Sequence, residues 1–386
     1  MCKSIFFFVL ICLSLKVSGQ LPRSFRSNDS TDITFSGTKI NPYRAEYDTT
    51  GKVVFSGYVD AYYAHYSDSS SSDGYSKFPT CAPRNNQLGI NMLQLSAKYN
   101  SRLFRGTITL FGGDCPKSSW SPHLNYIQEA NVGFRIVKKL WIDAGFFRTH
   151  FGLESIQPRE NMTMSLATTT YFEPYFLSGA KLTWQHSEKL AIQVNAFNSF
   201  NQFLETNKNK ALGLSIAYNP NSKLTASFSS IWCDESSANS TIKRNRIYSN
   251  LCVVYKSNRL VVGLEGNFGL QQHSVMMDTS KTAFLFSSLL AFKYRFTPKW
   301  AAYVRGEVYS DPNEILTGPI VNTNHQYVGI DLVGTTGGVE FKPIPNSYVR
   351  FECRYLRTHA NEDIFILKEI PSNQRIELIA GIGLWF

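Results

Sequence analysis

Apolar and polar side chains alternate along this chain from Val53 almost to its last residue. In the final stretch, Gln374 to Phe386, every second side chain from Ile376 onward is apolar, and the intervening positions begin with Arg375 and Glu377. Because successive side chains of a β-strand point to opposite faces, this run predicts a strand with one apolar and one more polar face. Strands that span a membrane in a barrel have this pattern over about 9–11 residues, with aromatic residues at the rims. For this stretch alone, the last strand of a soluble β-sandwich is the alternative.

Runs of this kind predict sixteen strands, with fourteen or eighteen as the nearest alternatives. The predicted strands are 53–66, 88–99, 102–113, 124–137, 139–148, 178–186, 189–199, 211–219, 222–233, 245–256, 259–270, 283–296, 299–310, 327–342, 347–358 and 374–386.

The predicted connections alternate between tight turns and long polar loops. Turn-forming residues such as Asn100-Ser101 and Ser257-Asn258 make the tight connections, whereas 149–177 is one of the long ones. A soluble sandwich has no reason to keep this asymmetry along the whole chain, but outer-membrane barrels do. The predicted fold class is therefore all-β: a transmembrane antiparallel β-barrel with short periplasmic turns and long extracellular loops.

The first nineteen residues have the features of a secretory signal peptide. Lys3 precedes an apolar run from Ile5 to Leu15, and small residues precede Gln20. Residues 20–52 are predicted to be a flexible periplasmic segment, which leaves 53–386 for the barrel. The apolar run is too short to span a membrane, and no later segment offers 18 uninterrupted apolar residues. Export without a membrane helix indicates a secreted, periplasmic or outer-membrane protein.

Composition supports strands and membrane interfaces over a cytosolic helical enzyme, since 14% of residues are aromatic and only 18% are charged. Removal of the signal peptide with Lys3 and Lys16 changes the formal net charge from +10 to +8. This positive balance suits anionic lipid or anionic solutes, or it serves solubility alone.

Four segments carry a resemblance to a known family: Ser56 to Tyr63 (SGYVDAYY), Leu140 to Phe147 (LWIDAGFF), Thr149 to Ser155 (THFGLES) and Arg305 to Pro312 (RGEVYSDP). In these segments the chain is similar to the OmpL-like outer-membrane β-barrel porins. The resemblance runs from about residue 53 to the C-terminus and implies a barrel in the outer membrane of a Gram-negative bacterium. By the family's label it also implies solute passage, although a fold does not fix a function. It supplies no catalytic motif.

Charged side chains collect in the column that is predicted to face inward. The predicted pore-lining bases are Arg105, Arg135, Arg148, Lys181, Arg305, Arg350, Arg354 and Arg375, and the acids are Asp60, Glu129, Asp143, Glu265, Glu307, Glu352 and Glu377. Eight bases against seven acids predict little net ion selectivity, with a slight preference for anions. If acidic and basic side chains lie on opposite sides of the lumen, their field would orient polar solutes. If they instead pair with cross-strand neighbours of opposite charge, they would only solvate the interior.

The connection 149–177 is a candidate constriction loop. It combines charged residues with several aromatic ones, and a loop this aromatic would be poorly solvated if it only stood in water. Folding inward would narrow the channel, and a surface lid packed on the rim fits the sequence equally well. The charged residues assigned to this loop are Glu154, Arg159, Glu160 and Glu173.

Enzymatic and cofactor chemistry find little support. The sequence has no Gly-x-Ser-x-Gly elbow, no phosphate-binding glycine loop and no His or Cys pairs at metal-ligand spacing. We therefore expect no catalysis, cofactor, metal or nucleic-acid partner. Cys81 and Cys115 fall in adjacent outer loops and are a candidate disulfide in an oxidising envelope.

The sequence thus predicts an outer-membrane channel for passive diffusion of small hydrophilic solutes. The alternative is a barrel that does not conduct and binds a secretion, adhesion or surface-lipoprotein partner through its long loops. Besides outer-membrane lipid, the expected partners include the barrel-assembly machinery, because the terminal Phe386 resembles the signal that this machinery recognises. A homo-oligomer is a further expectation.

Overall fold

A computed structural model describes residues 51–386 except 70, 73, 77, 79–80, 122–123, 203–208 and 360–361, and only the backbone of 71–72. The predicted signal peptide and the predicted flexible segment up to residue 50 lie outside the described residues. The sixteen long strands, β1 to β16, are Val53–Tyr66, Gln87–Asn100, Phe104–Gly112, Ile127–Val137, Leu140–Arg148, Phe176–Gln185, Leu190–Phe197, Ala211–Tyr218, Leu224–Asp234, Asn245–Lys256, Leu260–Gln271, Ala283–Arg295, Trp300–Asp311, Ile330–Phe341, Ser347–Thr358 and Gln374–Trp385.

These strands form one closed antiparallel barrel in which each strand pairs with its neighbours along the chain. The first and last strands close it, in a register that runs from Tyr58 opposite Trp385 to Tyr66 opposite Glu377. Closure leaves no strand of the barrel with an unpaired edge. A β-sheet inside a bilayer needs this, because lipid offers no hydrogen-bond partners for exposed backbone groups. The predicted fold class, with sixteen strands, is confirmed.

Burial alternates along the strands as the sequence pattern predicts. In β16, Ile376 and Leu378 are about half exposed, whereas Arg375 and Glu377 between them are buried. Since an apolar outer face and a polar inner face are what a bilayer requires, the exposed column faces lipid and the charged column faces the lumen.

The connections between barrel strands differ at the two ends of the barrel. One end carries the turns 101–103, 138–139, 186–189, 219–223, 257–259, 296–299 and 342–346. The other carries longer loops, which contain the helices α1 (Asp114–Ser119) and α2 (Thr168–Phe172), a 3₁₀ turn (Pro158–Glu160) and three small strand pairs: Ser71–Ser72 with Tyr75–Ser76, Ile320–Val321 with Tyr327–Val328, and Phe365–Leu367 with Ile370–Ser372. Among the described residues, no helix has the length and apolar character to cross a membrane.

Candidate functional site in the lumen

The connection between β5 and β6, residues 149–175, lies inside the barrel, and we call it the inward loop. Nearly all of its side chains from Phe151 to Tyr175 are buried, although no regular sheet contains them. It contacts inward-facing residues of β10 to β16, on the far side of the lumen from the strands where the loop begins and ends. Through Gln157 and Arg159 it also contacts Gln128 on β4 and Gln94 on β2. Non-helical backbone at this depth is tolerated because it is enclosed by protein and hydrogen-bonded to it.

One ion pair joins the middle of the inward loop to β13. Arg305 Nη1 donates to Glu154 Oε1 at 2.7 Å, and neither side chain is more than 5% exposed. The other oxygen of Glu154 accepts the backbone N–H of Ala167 at 2.7 Å, so this carboxylate also ties the two arms of the loop together. Breaking a buried pair costs about 3–5 kcal/mol when the remaining charge is uncompensated. Here the cost is lower, because Glu307 lies 3.4 Å from the same guanidinium.

A second set of contacts, from β15, caps polar backbone groups of the loop. Arg350 donates to the carbonyl oxygens of Pro158, Asn161 and Thr163 at 2.7 to 3.0 Å. Glu352, two residues further along the same face, accepts the backbone N–H groups of Met164 and Ser165 at 2.6 and 2.9 Å. Charged side chains of the wall therefore satisfy the irregular backbone of the loop, which would otherwise be costly to bury.

The start of α2 is held in a similar way. Glu307 accepts the backbone N–H of Thr168 at 2.6 Å and receives the guanidinium of Arg354 at 2.8 Å. Arg354 Nη1 also lies 3.4 Å from the carboxylate of Glu377, and the guanidinium of Arg375 lies 2.5 Å from the same carboxylate. These four charges alternate in sign along the wall, so each is compensated by its neighbours.

Glycines in the wall make room for apolar side chains of the loop. A Cβ on Gly263 of β11 would lie 2.7 Å from Leu153 and 2.8 Å from Met162. A Cβ on Gly381 of β16 would lie 2.4 Å from the Met164 methyl group. The absence of side chains at these two positions lets the loop lie directly against the sheet.

On the other side of the inward loop, toward β2 to β7, lies a cavity of about 370 Å³. Its lining runs from Asn100, beside the turn 101–103, to Thr149 and His150, where the inward loop begins. The cavity's charged residues are Lys98, Arg105, Arg148, Arg159, Lys181, Glu129, Asp143 and Glu160.

Two of the cavity's arginines are paired bidentately with acids. Arg105 donates through two nitrogens to Asp143, and Arg148 does the same to Glu160 of the inward loop. Burial raises the pKa of the Glu160 carboxyl, but the guanidinium of Arg148 outweighs burial and holds this pKa at about 2. The Arg148–Glu160 pair therefore remains charged at neutral pH. In both pairs the opposite charges are adjacent and contribute little net field to the cavity.

Eleven of the fifteen predicted pore-lining residues fall into two groups. Arg105, Glu129, Asp143, Arg148 and Lys181 line the cavity. Six others, Glu265, Arg305, Glu307, Arg350, Glu352 and Arg354, contact the inward loop. The lumen-facing column thus includes many charges that hold the loop rather than line this cavity.

The remaining four pore-lining candidates have contacts of their own. Asp60 accepts hydrogen bonds from Tyr58 and Tyr348, both at 2.9 Å. Arg375 and Glu377 pair on β16, and the guanidinium carbon of Arg135 lies 4.8 Å from the centroid of the Trp141 ring.

The four charged residues that the sequence assigns to the loop also separate. Arg159 and Glu160 line the cavity, whereas Glu154 faces Arg305. Glu173 is buried and accepts the hydroxyl of Tyr248 at 2.8 Å.

Cys81 and Cys115 are buried thiols in one cluster of side chains, in hydrogen-bonding contact with each other. The Cys81 thiol also donates to the carbonyl of Ile156 at 3.3 Å, on the inward loop. At the C-terminus, Phe386 exchanges two backbone hydrogen bonds of 3.1 Å with Gly57, and the residue as a whole is 60% exposed.

Sequence reasoning missed two groups of lumen residues. Lys293 and Glu340 form a buried pair at 2.8 Å, and strand alternation places both inside. The inward-facing side chains of β12 are largely apolar, for example Leu289 and Ala291, so the sequence pattern did not identify Lys293 as a lumen residue. Three glutamines around Arg159 were also missed, because uncharged side chains do not stand out in a column of charges.

A sixteen-strand barrel with an outward apolar face, an inward loop and a polar cavity defines the class of outer-membrane porins. A family model described as "Putative beta-barrel porin-2, OmpL-like" matches residues 52–386. The chain belongs to this family, and its location is the bacterial outer membrane. Among curated proteins, none matches the sequence.

Solved porin structures share this fold at low sequence identity. The outer-membrane channel DcaP of Acinetobacter baumannii superposes with a TM-score of 0.59 at 9% identity, covering 86% of this chain and 97% of that chain. An anion-selective porin from Comamonas acidovorans gives 0.57 at 10% identity, covering 87% and 99%. OmpF of Salmonella typhi gives 0.55 at 11% identity, covering 87% and 98%. These similarities concern the fold alone.

Proposed function

We propose that this porin lets small hydrophilic solutes diffuse passively through the cavity between the inward loop and β2 to β7. The observation that carries the proposal is the polar lining of that cavity, from the short turn 101–103 to the start of the inward loop. Sixteen strands enclose enough space for an aqueous channel, and the inward loop, which is anchored to β10 to β16, leaves this cavity open on the β2 to β7 side.

The charge of the cavity supports a modest preference for anions. Five basic side chains line it against three acidic ones. The excess positive charge raises the local concentration of anions and lowers that of cations. The charged residues of the cavity are paired or dispersed along its wall and do not converge on one reacting centre. This arrangement favours passage of solutes over catalysis.

The test is single-channel conductance of refolded protein in planar bilayers. Removal of Gln157 to Thr170 takes away the loop's contacts with β15, so the open cross-section and the conductance should rise. Removal of Ser237 to Asn239, an exposed segment between β9 and β10, is the control and should leave conductance unchanged. Heat-dependent mobility on detergent gels reports whether each barrel is folded. A folded protein that conducts neither with nor without the loop segment would contradict the channel and favour the alternative, a binding scaffold.

A further inference from the structure

Arg159 of the inward loop is held in the cavity entirely by neutral groups. Its Nε donates to Gln157 Oε1 at 2.8 Å, and its Nη2 donates to Gln94 Oε1 at 3.1 Å. Its guanidinium carbon lies 4.8 Å from the centroid of the Tyr58 ring. Arg105 and Arg148 in the same cavity are instead paired with carboxylates. Among the described residues Arg159 therefore has no hydrogen-bonded counter-ion, and Glu160, which Arg148 binds, acts on it only through electrostatic attraction.

The glutamines around Arg159 form a closed ring of hydrogen bonds. The side-chain amides of Gln94 and Gln157 both donate to Gln128 Oε1, the second at 3.3 Å. Each amide oxygen in the ring thus accepts at least one hydrogen bond. The donors are in surplus: Gln128 Nε2 is buried and has no acceptor, and Arg159 Nη1 has none among the described residues. Gln128 is fully buried and borders the cavity.

A buried amide donor without an acceptor is costly, and an anion can supply that acceptor. The acids around the site have hydrogen-bond partners of their own. Glu160 is engaged by Arg148, and the carboxylate of Glu129 accepts the Asn131 amide at 3.0 Å. Asp60 is engaged by the hydroxyls of Tyr58 and Tyr348.

We propose that Arg159 and Gln128, held by Gln94 and Gln157, form a binding subsite for oxyanion groups, carboxylate or phosphate, within the channel. The inference rests on the proposed channel function and adds to it the class of solute that pauses there. A guanidinium that is already immobilised loses little entropy when it binds, and its planar donors suit an oxyanion. The subsite is a place of transient binding, because a conducting site must also release its ligand.

The test is calorimetric titration of the refolded full-length mature chain with inorganic phosphate and, separately, with acetate. The two titrations distinguish phosphate from carboxylate recognition. Arg159→Gln should weaken binding about tenfold or more, the usual effect of losing a charge-assisted hydrogen bond. Gln128→Leu should weaken it without any change in charge.

Lys98→Gln is the matched control. It removes one positive charge from the same cavity, at a position four residues along β2 from Gln94 and outside the ring. It should shift the reversal potential in a salt gradient toward cations and leave phosphate affinity within about twofold, since screened charges act weakly at a distance. Gel mobility before and after heating establishes that each variant is folded.

The outcomes separate the two proposals. If Arg159→Gln and Lys98→Gln each bind phosphate and acetate as tightly as wild type does, the subsite is overturned, even if the protein conducts. Binding that depends on Arg159 in a protein that conducts no ions supports the subsite and overturns the channel. A wild-type protein that binds neither anion overturns the subsite.

Discussion

Glu154 and Arg305 are 151 residues apart in the sequence, yet their side chains meet at 2.7 Å inside the lumen. The pair joins the inward loop to β13, in a part of the barrel that is closed to solvent. Glu307 on β13, and Arg350 and Glu352 on β15, add hydrogen bonds to the loop's backbone. The position of the loop is therefore fixed by wall charges, and the size of the channel depends on them.

Glu154→Gln should loosen this attachment. The substitution keeps the shape of the side chain but leaves Arg305 with a weaker partner in the loop. Because Glu307 still compensates Arg305, the cost is below the about 3–5 kcal/mol of an uncompensated buried charge. We expect noisier single-channel currents with a higher mean conductance, measured in planar bilayers. Glu188→Gln, an exposed acid in the turn 186–189, is the control and should behave as wild type. Equal current noise in the two variants would argue against an anchoring role for Glu154.

Gly263→Val should have the opposite effect on conductance. A side chain at this position would enter space that Leu153 and Met162 occupy, so the loop must move off the wall toward the cavity. The single-channel conductance should fall. Gly266→Val on the same strand is the control, because a Cβ there meets no atom within 4 Å. If both variants conduct like wild type, the loop is not seated on Gly263 in the membrane.

The strands could be predicted from the sequence because the bilayer imposes a strict rule on them. Alternation along β16 separates Leu378, which faces lipid, from Glu377, which faces the lumen, without any tertiary information. Alternation cannot say which part of the lumen an inward residue meets. Arg350 and Arg105 follow the same pattern, but one binds loop carbonyls and the other lines the cavity. That difference is set by the path of the inward loop, which depends on long-range contacts.

The candidate disulfide between Cys81 and Cys115 remains a prediction that the contact between the two thiols favours. Oxidation in the envelope would link the outer loops across 34 residues of chain and restrict the unfolded state, which stabilises a protein by about 2–4 kcal/mol. Peptide mapping of protein taken from the membrane without reduction should find the linked pair. Cys233 and Cys252, on β9 and β10, are the internal control and should be recovered as thiols. Recovery of all four as thiols would contradict the prediction.

The terminal residue has two separable roles. Its backbone extends the closing seam by two hydrogen bonds with Gly57, which any residue at this position can make, whereas its exposed ring is the feature that assembly machinery would read. Deletion of Phe386 removes both, Phe386→Ala removes only the ring, and Phe386→Tyr keeps an aromatic ring. We expect Phe386→Ala to lower the amount of heat-modifiable barrel in cells but to refold like wild type from denaturant into detergent. Phe386→Tyr should assemble normally in both settings. An equal yield of folded Phe386→Ala and wild type in cells would show that the ring is not a targeting signal. A refolding defect of Phe386→Ala in detergent would instead assign the ring a role in closing the barrel.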